Sequence, residues 1–313
     1  MRALRQESFG APEVLKVVNV PDPVPLPSEV VVRVAAIGLN PVEAIVRAGH
    51  FPLIGQPPFI LGWDISGVVE TVVPGVTRFK EGDAVFGMPF FPRAAAGYAE
   101  RVAAPSRQLV RKPASIDHIQ AAALPLAGLT AWQSLVDAAQ VKKGQRVLIH
   151  GAGGGVGHLA VQIARGFGAH VLATVSDDKA DFVRSLGAHE LIDYRRTRFE
   201  EVARDVDIVL ECIGGETATR SIATLRPGGL FVTIVGRSDR GLQSRVEQAG
   251  RQFIGITVEP DQVGLEHLAA WVEAGRLQVH VDEVFDFEDA ARAHARLDAG
   301  SIRGKLVLSM SKR

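Results

Sequence analysis

The run Gly151-Ala152-Gly153-Gly154-Gly155-Val156-Gly157 constrains the fold of this chain more than any other feature. It follows Arg146-Val147-Leu148-Ile149-His150, a β-branched apolar run that reads as a strand. It opens a helical pattern over 156–167, and His170-Val171-Leu172-Ala173-Thr174-Val175 then reads as a second strand. In that strand–turn–helix–strand context, glycines allow a tight turn and let the backbone approach a pyrophosphate. The phosphates would meet the free N–H groups of the helix N-terminus. With Gly154 and Gly157 as the last two glycines of G-x-G-x-x-G, Ala152 occupies the first position. Alanine is small enough there if its φ stays negative. No Gly-Lys-Ser or Gly-Lys-Thr follows, which argues against a nucleoside triphosphate loop. A glycine-rich turn without a ligand is the bland alternative.

The alternation continues downstream. Strands at 207–211 and 229–234, with helices at 179–186 and 217–225, imply a parallel sheet covered on both faces. Upstream of about residue 120 the texture differs. Prolines 21, 23, 25 and 27 enforce an extended lead-in, and strands are expected at 30–37, 67–72, 84–86 and 97–102. Asn40 is a candidate cap for a short helix over 40–48, with Pro41 at its first position. Short strands punctuated by Gly and Pro suggest a barrel-like β domain. The tail carries helical patterns at 264–274 and 287–299 and a final strand, Lys305-Leu306-Val307-Leu308-Ser309. Its return to the first domain would make the α/β domain an insertion, which sequence alone does not show.

The 313 residues are 47% hydrophobic, enough for two cores, and 35 Lys plus Arg balance 35 Asp plus Glu. That balance gives no broad electrostatic reason to bind nucleic acid. The single cysteine, Cys212, rules out an intrachain disulfide and fits a reducing compartment. The N-terminus lacks the apolar core of a signal peptide, and no run is long and apolar enough to span a bilayer. A cytoplasmic, non-membrane protein is expected.

The choice of dinucleotide falls at the end of the second strand, where an NAD site wants a carboxylate for the ribose 2′-OH. Here Val175-Ser176-Asp177-Asp178-Lys179 puts Ser176 at that position. Ser176 and Lys179 suit a 2′-phosphate, and Tyr194-Arg195-Arg196 adds donors nearby. NADPH is therefore favoured, while Asp177 keeps NADH as an alternative. No Cys-x-x-Cys is present, and none of the nine histidines forms a pair at ligand spacing. His50 and Asp64 are the one pair in the first domain worth naming. No metal is expected, so the hydride acceptor must already be electron-poor, as a quinone or an α,β-unsaturated ketone is.

Taken together these residues resemble the medium-chain dehydrogenase/reductase superfamily, in its zinc-free quinone oxidoreductase branch. The resemblance runs through Gly38-Leu39-Asn40-Pro41-Val42, Arg47-x-Gly49, Gly62-x-Asp64-x-x-Gly67-x-Val69, Gly82-Asp83-x-Val85, Gly97-x-Ala99-Glu100, Leu124-Pro125, Gly128-Leu129-Thr130-Ala131, the glycine turn, Leu186-Gly187-Ala188, Asp193-Tyr194 and Gly304-Lys305. It implies an α/β protein with a GroES-like β-barrel substrate domain, 1–120 completed by 264–313. A Rossmann domain over 121–263 stands between these parts in sequence, and the active site lies in the cleft. Asn40 stands where zinc-dependent relatives carry a catalytic cysteine. Trp63 and Asp64 replace their His-Glu pair, and the segment between Met88 and Gly97 is too short for their structural zinc lobe.

By the same resemblance, Asn40 would face nicotinamide and substrate, and Tyr98 would line the substrate side. Thr130 would contact the cofactor, Gly154, Gly155, Val156 and Gly157 would hold the pyrophosphate, and Ser176, Lys179 and Tyr194 would take the 2′-phosphate. Gly236 and Lys305 would approach the cofactor. The bland readings are Asn40 as a helix cap and Lys305 as an exposed turn residue. Phe51, Phe59, Phe90 and Phe91 suggest an apolar pocket or simply β-domain core. A homodimer would join through the sheet edge at Phe253-Ile254-Gly255-Ile256-Thr257-Val258. The implied activity is NADPH-dependent, zinc-independent hydride transfer to small electrophilic quinones or enones. An enoyl or specialised carbonyl reductase is the alternative, and a non-catalytic NADPH-binding sensor or structural protein is the reading from another class.

Overall fold

The chain opens on β1 (Arg2–Gln6), which pairs antiparallel with β2 (Lys16–Asn19). The β-branched run predicted at 30–37 becomes the long, largely buried strand β3 (Glu29–Leu39). Asn40 then caps α1 (Pro41–Arg47), with Pro41 in the first turn as expected. There follow β4 (Phe59–Ile60), β5 (Asp64–Val72), β6 (Ala84–Gly87), β7 (Arg101–Pro105) and β8 (Leu109–Arg111). Asp117 caps α2 (His118–Ala122) by accepting from Gln120 N–H, and α3 (Pro125–Trp132) runs into a π-helical turn, Gln133–Ala138.

The α/β alternation begins with β9 (Arg146–Ile149), α4 (Gly155–Gly166), β10 (His170–Val175), α5 (Ala180–Ser185) and β11 (Glu190–Asp193). It continues through α6 (Phe199–Val202), β12 (Val206–Glu211), α7 (Gly215–Ser221), β13 (Leu225–Thr233), α8 (Arg240–Gln248) and β14 (Gln252–Gly255). The tail supplies α9 (Gln262–Glu273), β15 (Val281–Asp286), α10 (Ala290–Ala299) and β16 (Lys305–Ser309). This computed structural model describes residues 1–51 and 53–311. The chain divides into two units, Met1–Leu129 with Glu259–Arg313, and Thr130–Val258.

In the first unit the order β15-β16-β3-β5-β6-β8 makes one sheet, to which β7 adds by pairing with β3. The last strand does return to the N-terminal part: Leu306, Val307, Leu308 and Ser309 stand opposite Leu39, Gly38, Ile37 and Ala36. The strand expected at 97–102 is displaced. Regular pairing starts only at Arg101, and upstream of it Ala99 forms an isolated bridge to Ala3. The second unit holds six parallel strands in the order β11-β10-β9-β12-β13-β14. Its core clusters Leu148, Leu172, Val209 and Phe231 from four strands with Leu242 and Val246 from α8. The chain runs from β9 outward to β11, then resumes at β12 on the other side of β9. That reversal is the switch point at which open α/β sheets bind ligands, beyond the C-terminal ends of the strands.

Candidate active site

The glycine turn lies at that switch point, directly after β9. Gly151 takes the left-handed conformation (φ 64°), and Ala152 is not among the non-glycine residues with positive φ. Alanine is therefore accommodated at the position expected of the first glycine. Gly154 caps α4 with extended backbone, so Gly155, Val156 and Gly157 form the first helical turn and leave its N–H groups without intrahelical acceptors. A Cβ at Gly157 would sit 2.2 Å from the Gly151 carbonyl oxygen, so glycine here lets helix and strand meet. A Cβ at Gly153 would come 2.9 Å from Lys179 Cδ, which shows that the Lys179 stem lies over the turn. The cradle thus fits a pyrophosphate, with a lysine drawn to its rim.

Ser176 is buried just beyond β10 and Tyr194 is exposed beyond β11. Around them the charges are self-paired: Asp177 with Arg196 and Asp178 with Arg195, both at 3.4 Å. The Ser176 hydroxyl, more than the two nearby cations, holds the Asp178 carboxyl below its ordinary range. Arg195 also lies 5.7 Å from the Tyr194 ring. Thr130 is buried on α3.

Sequence reading missed Glu211, whose buried carboxylate accepts from Ile213 and Gly214 N–H at 2.7 Å each and from the Thr233 hydroxyl. Thr233 Oγ1 in turn accepts from Gly236 N–H at 3.0 Å. The loops after β12 and β13 are tied together this way, and Gly236 is held by that tie.

In the first unit, Asn40, Asp64 and Lys305 come together from distant parts of the chain, all buried. Asn40 Nδ2 donates to Asp64 Oδ2 at 3.0 Å. Lys305 Nζ donates to Asn40 Oδ1 and lies 3.5 Å from Asp64 Oδ2. Leu126 N–H donates to Asp64 Oδ1 at 2.8 Å. The cation on one side and the carboxylate on the other leave the Asn40 amide a single orientation. Burial pushes the Asp64 carboxyl up and the Lys305 ammonium down, while their mutual attraction opposes both shifts. Lys305 is not the exposed turn residue of the bland reading: it is 3% exposed. His50, by contrast, is exposed, so the sequence pairing of His50 with buried Asp64 does not describe a shared site.

Tyr98 differs from the expectation of a substrate-lining side chain. It is fully buried, and its hydroxyl donates to Glu43 Oε2 at 3.0 Å and contacts His294 Nε2 at 3.0 Å. Of the phenylalanines expected to line a pocket or the β-domain core, Phe91 packs edge-on against Trp63 and Phe59 lies against Phe9. Glu43 was legible as the third residue after the Asn40 cap, the spacing at which a glutamate reaches back to the cap N–H. It does so here at 2.6 Å.

A zinc ion does not fit these donors. Trp63 gives its indole N–H to the Arg93 carbonyl, Asn40 offers an amide, and both Asp64 oxygens are committed, one of them beside a lysine ammonium. Among the described residues no group of three or more His, Cys, Asp or Glu could hold a metal. No helix among them is long and apolar enough to cross a membrane.

Residues 26–114 match the family described as "Alcohol dehydrogenase GroES-like domain", and residues 186–308 match "Zinc-binding dehydrogenase". The human protein named "Quinone oxidoreductase" is 32% identical over 98% of this chain and 97% of its own length. The quinone oxidoreductase structure from Coxiella burnetii superposes with a TM-score of 0.94 at 34% identity, covering 99% of both chains. The Escherichia coli quinone oxidoreductase, solved in complex with NADPH, gives a TM-score of 0.88 at 27% identity over 99% of this chain and 100% of its own. The name of the second family mentions zinc, yet the donor set described above is not one for zinc.

Proposed function

Because this chain belongs to the quinone oxidoreductase branch of the medium-chain dehydrogenase/reductase superfamily, with an α/β fold that joins a Rossmann-type and a GroES-like domain, we propose that it is an NADPH-dependent, zinc-independent reductase of small quinones or α,β-unsaturated carbonyls. The observation that carries this reading is the buried Asn40 whose amide is fixed by Lys305 and Asp64, in a chain that also holds a glycine cradle at the N-terminus of α4. Bound NADPH supplies the hydride. Gly154, Gly155, Val156 and Gly157, with Ala152 packed beneath, hold the pyrophosphate. Ser176, Lys179 and Tyr194 hold the 2′-phosphate, and Thr130 and Gly236 border the nicotinamide. Asn40 orients the acceptor, and its amide N–H, polarised by Lys305 on the amide oxygen, stabilises the charge that develops on the acceptor oxygen. The NADPH complex of the Escherichia coli relative supports this choice of cofactor.

The substrate domain in this reading is the first unit, Met1–Leu129 with Glu259–Arg313, and the cofactor domain is the second, Thr130–Val258, so the joins lie a few residues from the 120/121 and 263/264 expected from the sequence. Two copies join through the edge strand β14, and a lone cysteine fits a cytoplasmic setting. Purified protein is expected to oxidise NADPH with quinones and enones faster than with simple aldehydes, and to do so unchanged in the presence of a chelator. Silence with every acceptor, or activity lost to the chelator, would overturn the reading.

The cofactor preference has its own test. Replacing Lys179 by alanine removes one charge-assisted contact to a 2′-phosphate, a change of about tenfold in affinity. Titration of the variant is expected to show that weakening for NADPH and little change for NADH. Equal losses for both cofactors would assign Lys179 to the pyrophosphate instead.

A further inference from the structure

Helix α10 reaches Asn40 through an unbroken chain of buried polar groups. Arg47 Nη1 lies 2.9 Å from His294 Nδ1. A guanidinium can only donate, so Nδ1 accepts and the neutral imidazole carries its proton on Nε2. That proton points at the Tyr98 oxygen, which leaves the Tyr98 hydroxyl to donate to Glu43 Oε2. The same carboxylate oxygen accepts from Asn40 N–H at 2.6 Å. Every donor direction is thereby fixed from α10 to the residue that begins α1. At its outer end Arg47 is held by Asp298 at 2.7 Å.

We propose that Tyr98 and His294 are positioning residues that act on Asn40 through Glu43, so that α10 sets the placement of the amide presented to substrate. This rests on the reading of Asn40 given above. Several observations single out Glu43 within the chain. It is fully buried, and its second oxygen, Oε1, has no hydrogen-bond partner among the described residues. A buried, half-satisfied carboxyl is costly to keep for packing alone, since an apolar residue would fill the space. Its ionised form makes the stronger bond to the cap N–H. The charged and titratable groups around it are Arg47 on its own helix, Tyr98 from the segment before β7, Asp64 on β5, Lys305 on β16, and His294 and Asp298 on α10. Burial pushes the Glu43 carboxyl up to about 7. The Asn40 N–H pulls it down, Asp64 adds to the rise, and Lys305 and Tyr98 oppose it. Burial holds His294 down to about 3, so it stays neutral, as the donor directions require.

Wild type and the Tyr98→Phe and Glu43→Gln variants would be compared by NADPH-dependent reduction of a benzoquinone across pH, and by hydrogen exchange of the peptide spanning 40–47. Wild-type kcat is expected to rise with pH through about 7 as Glu43 ionises. In Tyr98→Phe the plateau falls about tenfold, the value for one lost hydrogen bond to a charge, with KM for NADPH unchanged. Its limb moves to higher pH, because a group favouring the ionised form is gone. In Glu43→Gln the limb vanishes. Tyr98→Phe removes one atom from a packed ring, so it remains informative if Glu43→Gln does not fold. Exchange at the start of α1 should speed up in Tyr98→Phe, whether or not the protein turns over any acceptor. Identical pH profiles in all three proteins, or unchanged exchange in Tyr98→Phe, would overturn the proposal. Altered exchange in a protein that reduces nothing would instead support the relay and count against the reductase reading alone.

Discussion

Replacing Lys305 by methionine is expected to destabilise the first unit by about 3–5 kcal/mol and to reduce acceptor turnover far more than cofactor binding. The stem of lysine and the side chain of methionine are similar in volume, so packing is nearly conserved. What changes is that Asp64, fully buried, loses its cation. The carboxylate must then stay charged without a partner or take up a proton, and Asn40 Oδ1 loses its donor. Adding Asp64→Asn should recover much of the loss. An asparagine there can still accept from Leu126 N–H, and it leaves no buried carboxylate without its cation. Denaturant unfolding of the two single variants and the double variant forms a cycle. A Lys305→Met protein within about 0.5 kcal/mol of wild type would show that the lysine is not electrostatically coupled to Asp64.

Gly157→Ala is the second large effect. The added methyl would lie 2.2 Å from a backbone oxygen and 2.7 Å from Ala152 Cα, neither of which can rotate away. The helix α4 must slide off β9, at about 3 kcal/mol for an overpacked site, and its N-terminus leaves the phosphates. Loss of NADPH affinity by about a hundredfold is expected, the same free energy expressed at the binding site. Gly154→Ala separates the two effects. Its Cβ would meet only the Gly151 oxygen, at 3.3 Å, and its φ of −91° suits alanine. Melting temperature should therefore hold while NADPH binding weakens, because the methyl intrudes on the pyrophosphate side. If Gly157→Ala melts and binds as wild type does, the close helix–strand contact is not what glycine is there for.

The parts legible in the sequence were those whose information is local. His170–Val175 and Lys305–Ser309 fold over the residues read as strands, since β-branched runs between turn residues have few other options. The glycine turn was equally clear, because strand, turn and helix are contiguous. Helix α8 was missed: its nine residues bury only Leu242 and Val246, two anchors among charged neighbours. Strand β15 was missed for a related reason, with Asp282 and Glu283 exposed in its middle and Phe285 its buried position. The site around Asn40 was half legible. Asn40 and Lys305 were named by resemblance, but their contact spans 265 positions. His294 looked like any of the chain's nine histidines, here alone on a polar helix, and nothing in its neighbourhood of sequence marks it as buried. Its partner Tyr98 sits in the irregular stretch before β7 where no period operates.

The return of β16 to β3 also sets an order of events at the ribosome. Residues 36–39 of β3 emerge early, yet the strand that covers their open edge is 305–309, made after the whole six-stranded unit. The inserted unit has all its strands in hand first and can fold as a block, while the N-terminal sheet waits with one edge unpaired. Its longest-range pairings then form last and slowest, as contacts of high sequence separation do. An edge left bare through that interval is a template for pairing with other chains. Nascent chains stalled anywhere between the inserted unit and β16 are thus the species most exposed to aggregation and most in need of a chaperone.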